Sequence, residues 1–179
     1  TLKKSIVPAL PARLTVDNTG GTEPLVGIFG VREQLGMYSP GDHAPGELAG
    51  FVAPRGFGIA FDPRKQGAGV KEVADFSPHQ LFGRVAPYFF RLGPMGGLTV
   101  EVPAGQKKTV DFVLGWYHDG MATRGARRFD LLYKRYFASI EEVFAFALAH
   151  VDETWAEAAH YDAVLAKKPL NPDQKFLVA

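Results

Sequence analysis

Residues 109–117 constrain the fold most, because a strand over this segment is apolar on both faces. Alternate positions place four large apolar side chains on one face: Val110, Phe112, Leu114 and Trp116. Val113 and Tyr117 make the opposite face partly apolar as well, since successive side chains of a strand point to opposite faces. We therefore expect this strand to be central in its sheet, or to be covered on both sides.

Shorter alternating segments predict further strands around it. Apolar and polar residues alternate over 98–102. The turn at 103–108, in which Gly105 can adopt a left-handed conformation, predicts a hairpin between this strand and the strand over 109–117. Residues 14–17 and 25–31 are expected to form an antiparallel pair. Residues 51–53 and 58–61 are short strand candidates, and residues 65–69 are expected to form a turn. Residues 32–50 are expected to form a long loop, and residues 70–92 fit either strand or helix.

A long amphipathic helix follows a short helix that is predicted over residues 128–137. Ser139 suits the N-cap, and Glu142 suits the reciprocal third position of a capping box. Apolar side chains then recur at helical spacing: Ile140, Val143, Phe144, Ala147, Leu148, Val151 and Trp155. The helix should end at about residue 166, because Pro169 cannot continue it. At 3.6 residues per turn, that length is about seven turns. We expect its apolar stripe to pack on another domain.

A second helix start signal lies close to the end of the chain. It consists of an N-cap residue, a proline, an acid and a capping-box partner: Asn171, Pro172, Asp173 and Gln174. An apolar run, residues 176–179, follows it. A natural domain rarely stops one turn into a well-capped helix, so we expect this chain to be a piece of a longer protein.

The composition excludes several classes of protein. A net charge of +1 gives no general electrostatic case for binding nucleic acid or an anionic membrane. The absence of cysteine excludes disulfides and thiol catalysis within this chain, and it fits a reducing, cytoplasmic location. No apolar run approaches the roughly 18 residues of a membrane span. We therefore expect neither a nucleic-acid nor a membrane partner.

The polar loop after the strand over 109–117 contains the candidate site residues His118, Asp119 and Arg124. Loops on a rigid sheet often carry function, so these residues are candidates for the rim of a substrate pocket. A purely structural reading is favoured over this one. In it, Asp119 and Gly120 form a turn and Arg124 forms a salt bridge that shapes the chain.

Other chemistry finds less support in the sequence. His150 and His160 lie ten residues apart, which does not fit the i, i+4 pair of a helical zinc site, so no metal or cofactor is expected. Three aromatic residues could stack on sugar rings but are placed in a core or interface: Trp116, Tyr117 and Trp155. No two carboxylates can be assigned as the opposed pair of a glycosidase.

Four stretches in this order resemble the N-terminal region of glycoside hydrolase family 52, the β-xylosidase family. They are residues 14–22 (LTVDNTGGT), 97–109 (GLTVEVPAGQKKT), 133–143 (YKRYFASIEEV) and 173–179 (DQKFLVA). They are more distantly similar to family 116 β-glucosidases. The resemblance spans nearly the whole chain and is strongest after Gly97.

The resemblance implies a mainly β fold with C-terminal helices: an antiparallel β-sandwich of the supersandwich type followed by linker helices. Residues 1–125 would be part of the N-terminal sandwich, residues 126–168 the linker helices, and residues 169–179 the start of the first helix of an (α/α)6 toroid. The family's catalytic carboxylates belong to the toroid, so the resemblance implies no catalytic residue in this chain.

The expected function is therefore a non-catalytic sandwich of a retaining β-glycosidase that acts on β-linked sugars. Its partners would be the toroid domain of the same parent chain, carbohydrate and possible homodimer contacts. Two alternatives remain open: a free-standing carbohydrate-binding or interaction sandwich, and the same architecture in a glycoside phosphorylase. Phosphate dependence of the parent's activity would separate the phosphorylase from the hydrolase.

Overall fold

The computed structural model describes residues 1–32, 48–53, 56–66, 69–76, 95–125 and 127–178. The strands are β1 (Ala9–Asp17), β2 (Leu25–Arg32), β3 (Ala49–Ala53), β4 (Phe57–Phe61), β5 (Val70–Phe76), β6 (Met95–Val102), β7 (Lys107–Trp116), β8 (Ala122–Arg124) and β9 (Arg127–Phe129). The helices are α1 (Leu2–Ser5), α2 (Pro63–Gln66), a 3₁₀ helix (Leu132–Arg135), α3 (Ile140–Ala149), α4 (Val151–Ala166) and α5 (Pro172–Val178). The long loop predicted over residues 32–50 lies almost wholly outside the described residues. In the stretch 70–92, for which strand and helix were both open, residues 70–76 form strand β5 and residues 77–92 lie outside the described residues.

The strands form two antiparallel sheets and a small hairpin. The four-stranded sheet has the order β1–β7–β4–β3, the three-stranded sheet has the order β2–β6–β5, and β8 pairs with β9. The predicted mainly β fold with C-terminal helices is confirmed, and the two sheets pack as in a sandwich.

Two predicted strand pairings are wrong. β1 pairs with β7 and β2 pairs with β6, so neither the expected β1–β2 pair nor the expected β6–β7 hairpin forms. Each of these connections instead crosses from one sheet to the other. Alternating sequence shows that a segment is a strand, but it does not show which partner the strand takes.

Asn18 joins the two crossing connections at one end of the sandwich. Its side chain is 5% exposed, and three backbone carbonyls share the two hydrogens of its amide Nδ2: those of Glu23 at 2.9 Å, Val102 at 3.1 Å and Pro103 at 3.0 Å. Its backbone N–H donates to Gln106, and its carbonyl accepts from Gly105. A single buried side chain therefore satisfies backbone groups that the turns leave unpaired.

The space between the sheets holds the main apolar core. Buried side chains from both sheets meet there: Phe51, Ile59, Phe61, Val70, Leu98, Val100, Val102, Val110 and Phe112. Phe29 of β2 brings its ring within 4.7 Å of Phe112 of β7, which links the two sheets directly. Val110 and Phe112 of β7 are thus buried and Leu114 packs against them, as the sequence predicts, whereas Trp116 at the end of the strand is exposed.

Helix α3 covers the opposite face of the four-stranded sheet. Val113 of β7 is fully buried there with side chains from the neighbouring strands and the helix: Val52, Ala60, Ile140, Phe144, Ala147 and Leu148. The prediction that this strand is central or covered on both faces is confirmed, since β7 has a neighbouring strand on each side and contributes side chains to apolar clusters on both faces. The expectation that the stripe packs on another domain is wrong for residues 140–148, because the chain's own sheet buries them.

Two glycines form the seat for Phe144. Gly58 of β4 and Gly115 of β7 are direct cross-strand partners. A Cβ atom at Gly115 would lie 2.6 Å from Cε1 of Phe144, and one at Gly58 would lie 3.0 Å from Cζ. Because these two residues have no side chain, the Phe144 ring packs directly on the backbone of the sheet. This contact sets the distance between α3 and the sheet.

The rest of the outer face of β1 and β7 is polar. Arg13 forms a two-point ion pair with Asp111, its direct cross-strand partner, at 2.6 and 2.9 Å. Thr15 and Thr109, which are opposed two residues further along the strands, share a hydrogen bond of 3.0 Å. Such directly opposed pairs favour this register of the two strands.

The predicted long helix is divided in two. His150, with φ −111° and ψ 12°, lies outside the helical region and separates α3 from α4. No glycine or proline marks this position, so the pattern alone predicts a continuous helix. The short helix predicted over 128–137 is confirmed only in part, since strand β9 includes residues 128 and 129 and a 3₁₀ helix covers Leu132–Arg135 alone.

Both predicted helix caps are present. Ser139 Oγ accepts from the N–H of Glu142 at 3.4 Å, and the Glu142 carboxylate accepts from the N–H of Ala138 at 2.9 Å. Asn171 and Gln174 form the reciprocal capping box of α5, with bonds of 2.8 and 3.1 Å. The chain divides into two compact units, Thr1–Leu148 and Ala149–Ala179.

Asn18→Ala should lower the free energy of unfolding by about 2–3 kcal/mol, since three carbonyls lose their donor in a buried setting. Urea unfolding, monitored by circular dichroism of the β-sheet, measures this change. Asn171→Ala is the matched control, because it removes an exposed cap worth about 1 kcal/mol and should leave the sheet transition in place. Equal effects of the two variants would contradict the role of Asn18.

Gly115→Ala should destabilise the protein by about 1–3 kcal/mol, because the new methyl group overpacks against Phe144. The double variant Gly115→Ala/Phe144→Leu should recover part of that loss, because leucine is smaller than phenylalanine and leaves room for the methyl group of Ala at position 115. Gly20→Ala is the control, as nothing lies within 4 Å of a Cβ at that position. Strictly additive effects in the double-variant cycle would refute the proposed contact.

Candidate functional site

The predicted site loop lies beside a cleft of about 760 Å³. The lining residues come from three places, namely the β3–β4 connection, the loop after β7 and the start of α3: Val52, Gly56, Tyr117, His118, Asp119, Gly120, Ala138, Ser139, Ile140 and Glu141. Two of the three predicted site residues, His118 and Asp119, therefore line this cleft. The backbone of Arg124 belongs to β8 and pairs with Arg127, and its side chain lies outside the described residues.

The 3₁₀ helix holds the loop by polar contacts. Tyr133 Oη accepts from the N–H of His118 at 2.9 Å and donates to its carbonyl at 3.2 Å. Lys134 Nζ donates to the carbonyl of Asp119 at 2.5 Å. Lys134 also lies 3.8 Å from the Asp130 carboxylate. The loop conformation is thus set by side chains about 15 residues further along the chain.

The His118 ring is fixed by the loop itself. Its Nδ1 atom accepts from the N–H of Gly120 at 3.0 Å. An accepting Nδ1 places the proton of the neutral ring on Nε2, which is then a donor. A Cβ atom at residue 120 would lie 2.5 Å from Cε1 of His118, so glycine is required for this arrangement.

Tyr117 also lines the cleft. Its hydroxyl donates to the carbonyl of Phe137 at 3.2 Å, and its ring centroid lies 5.6 Å from that of Tyr133. Burial raises the pKa of the Tyr117 phenol above 10.0, and the nearby Tyr133, Asp119 and Glu142 raise it further. Tyr117 is therefore a neutral hydrogen-bonding and packing residue at physiological pH.

The start of α3 contributes further lining residues. Ser139 and Glu141 line the cleft there, while Glu142 is engaged in the capping interactions of the helix. With the exposed Asp119 and the ring of His118, these groups offer both donors and acceptors of hydrogen bonds. Such a set fits a ligand that is rich in hydroxyl groups.

The sequence did not identify the contributions of Ser139 and Glu141 to the cleft. The capping box identified Ser139 as a helix start, which does not show what that end faces, and Glu141 was assigned to the solvated face of the helix. Trp116, considered as a sugar-stacking residue, is 40% exposed and packs at 5.4 Å against Phe57 instead of lining the cleft.

Metal binding and membrane spans were also considered. Within the described residues, no cluster of three or more His, Cys, Asp or Glu side chains could hold a metal ion. No helix in the described part of the chain has the length and apolar character needed to cross a membrane.

Comparison with known proteins gives matches along the whole chain. The sequence model of the family described as Glycosyl hydrolase family 52 matches residues 1–179. A beta-xylosidase of Geobacillus stearothermophilus is 31% identical over 183 residues, which cover 99% of this chain and 25% of that protein. A second beta-xylosidase from the same organism is 32% identical over 183 residues, covering 99% and 28%. The chain thus spans about a quarter of the length of these curated relatives.

Tyr117→Phe should cost about 1 kcal/mol at neutral pH, because it removes the hydrogen bond to Phe137. Since the folded state holds the phenol proton more tightly, the wild-type protein loses stability as the pH rises through and above 10.0. The variant should show less of this alkaline loss in urea unfolding measured across that range. Tyr136→Phe controls for the removal of one hydroxyl, and identical alkaline profiles for wild type and Tyr117→Phe would contradict the assignment.

Proposed function

Because the chain belongs to glycosyl hydrolase family 52, we propose that it is the non-catalytic N-terminal β-sandwich of a retaining β-glycosidase. The two matched relatives are named beta-xylosidases, which supports β-linked xylosides as the substrate class of the parent enzyme. The observation that carries the proposal is the family match over residues 1–179 on a chain that spans about a quarter of its relatives.

The rest of the parent polypeptide would supply the catalytic (α/α)6 toroid. Residues 169–179 would begin its first helix, and the sandwich would pack on the toroid and help shape it. The cleft beside α3 would then form part of the rim of the substrate pocket. His118 and Asp119 would contact sugar hydroxyls there, and Arg124 would contribute from β8.

The setting of the two cleft carboxylates supports a binding role over a catalytic one. Glycoside hydrolysis needs an opposed pair of carboxyl groups, one of them a general acid in a water-poor pocket. Asp119 is exposed and Glu141 is half-buried, and both line an open cleft. Neither has the enclosed setting of a general acid. The cytoplasmic location and the homodimer remain predictions.

In the full-length parent enzyme, His118→Ala and Arg124→Ala should raise KM for an aryl β-xyloside with little change in kcat. They would remove hydrogen bonds that the bound sugar and the transition state share, and removal of such uniform binding raises KM alone. Arg13→Ala, on the polar outer face of β1, is the matched control and should change neither constant.

Asp119→Asn and Glu141→Gln test the non-catalytic assignment in the same assay. Loss of a catalytic acid or base lowers the rate by about 10²–10⁴-fold, so a fall of that size in kcat for either variant would refute it. Unchanged kinetics in both His118→Ala and Arg124→Ala would remove the rim assignment. A requirement for inorganic phosphate would replace hydrolysis with phosphorolysis.

A further inference from the structure

The peptide group between Asp119 and Gly120 is polarised at both ends. Its N–H donates to Nδ1 of His118 at 3.0 Å, and its carbonyl oxygen accepts from the ammonium of Lys134 at 2.5 Å. A base at the nitrogen and a cation at the oxygen both favour loss of the amide proton. Within the described residues, this is the peptide that the structure holds between an imidazole and an ammonium group.

An amide nitrogen that has lost its proton is a nucleophile, and the side chain of the preceding aspartate carries the nearest electrophilic carbon. Attack by the nitrogen on that carbon closes a five-membered succinimide ring. A glycine after the aspartate favours this closure because no Cβ atom blocks the approach. Asp119 is exposed, so its carboxyl group can turn towards the Gly120 nitrogen without leaving a packed site.

We propose that Asp119 is a site of spontaneous succinimide formation and isomerisation to isoaspartate, promoted by His118 and Lys134. The bond from the Gly120 nitrogen to Cγ of Asp119 forms, and one carboxyl C–O bond breaks. The departing oxygen takes two protons and leaves as water. One is the carboxyl group's own proton, and the other is the amide proton, which His118 relays. Water then opens the ring, and cleavage of the bond between the Gly120 nitrogen and the main-chain carbonyl carbon leaves isoaspartate.

Asp111 shows why the reaction is selective. Both of its carboxylate oxygens are held by Arg13, at 2.6 and 2.9 Å, and the bulky Phe112 follows it in the chain. Its side chain lies on a strand and cannot reach the next peptide nitrogen without breaking that ion pair. Asp111 is therefore an internal reference for Asp119 on the same strand–loop segment.

Isomerisation would rebuild the loop beside the cleft. An isoaspartyl linkage adds one methylene group to the main chain, which displaces the carbonyl that Lys134 binds and the N–H that His118 binds. The inference does not depend on the proposed function, because it concerns only the chemistry of this loop.

The test is to age the folded chain at near-neutral pH and physiological temperature and then digest it with trypsin. Cleavage after Lys108 and Arg124 releases residues 109–124, which contain both Asp119 and Asp111. Methylation by an isoaspartate-specific methyltransferase, with fragmentation mass spectrometry, locates and quantifies the product. A synthetic peptide of the same sequence, aged in parallel, supplies the rate without the fold.

We expect Asp119 in the folded chain to isomerise roughly tenfold faster than in the peptide, below the 10²–10⁴-fold that general-base catalysis typically reaches. His118→Phe and Lys134→Met should bring the rate back towards that of the peptide. Arg135→Met, on the same 3₁₀ helix, is the matched control and should not change it. A folded-chain rate no higher than that of the peptide, or a His118→Phe rate equal to that of the wild type, would overturn the proposal.

Discussion

The arrangement of the sandwich depends on the hydrogen bonds of one buried side chain, Asn18. Two chain connections cross between the sheets at the same end, where backbone carbonyls of the first (Glu23) and of the second (Val102 and Pro103) lie close together. The Asn18 amide donates to carbonyls of both connections, so the relative position of the two sheets is fixed at this end. Apolar packing between the sheets has no comparable directionality, because the hydrophobic effect depends on area and not on orientation.

Strand β7 connects the core between the sheets with the cleft. Its inward residues pack between the sheets, its outward Val113 meets α3, and Gly115 receives the ring of Phe144. The contact of Phe144 with the glycine seat places the first turn of α3 beside the loop that leaves β7. The cleft is therefore a consequence of how closely one helix can approach one sheet, and two missing side chains decide that distance.

The features that were predictable from the sequence are those that a residue shares with its near neighbours. The two apolar faces of residues 109–117, the Ser139 cap and the Asn171 cap depend on spacings of two to four residues, and the structure contains all three. The pairing of β1 with β7 depends on residues more than 90 positions apart, such as Arg13 and Asp111. The cleft shows the same limit, since its loop was recognised but the residues that hold it, Tyr133 and Lys134, had no local signal.

Polar contacts, and not apolar burial, hold the cleft loop, and this gives it two properties at once. Hydrogen bonds to Tyr133 and Lys134 fix the positions of His118 and Asp119 while leaving their side chains exposed, which a binding surface requires. The same bonds polarise the peptide that follows Asp119. An apolar anchor would protect that peptide but would bury the groups that face the cleft. The proposed binding role of this loop and its proposed chemical lability therefore rest on the same geometry.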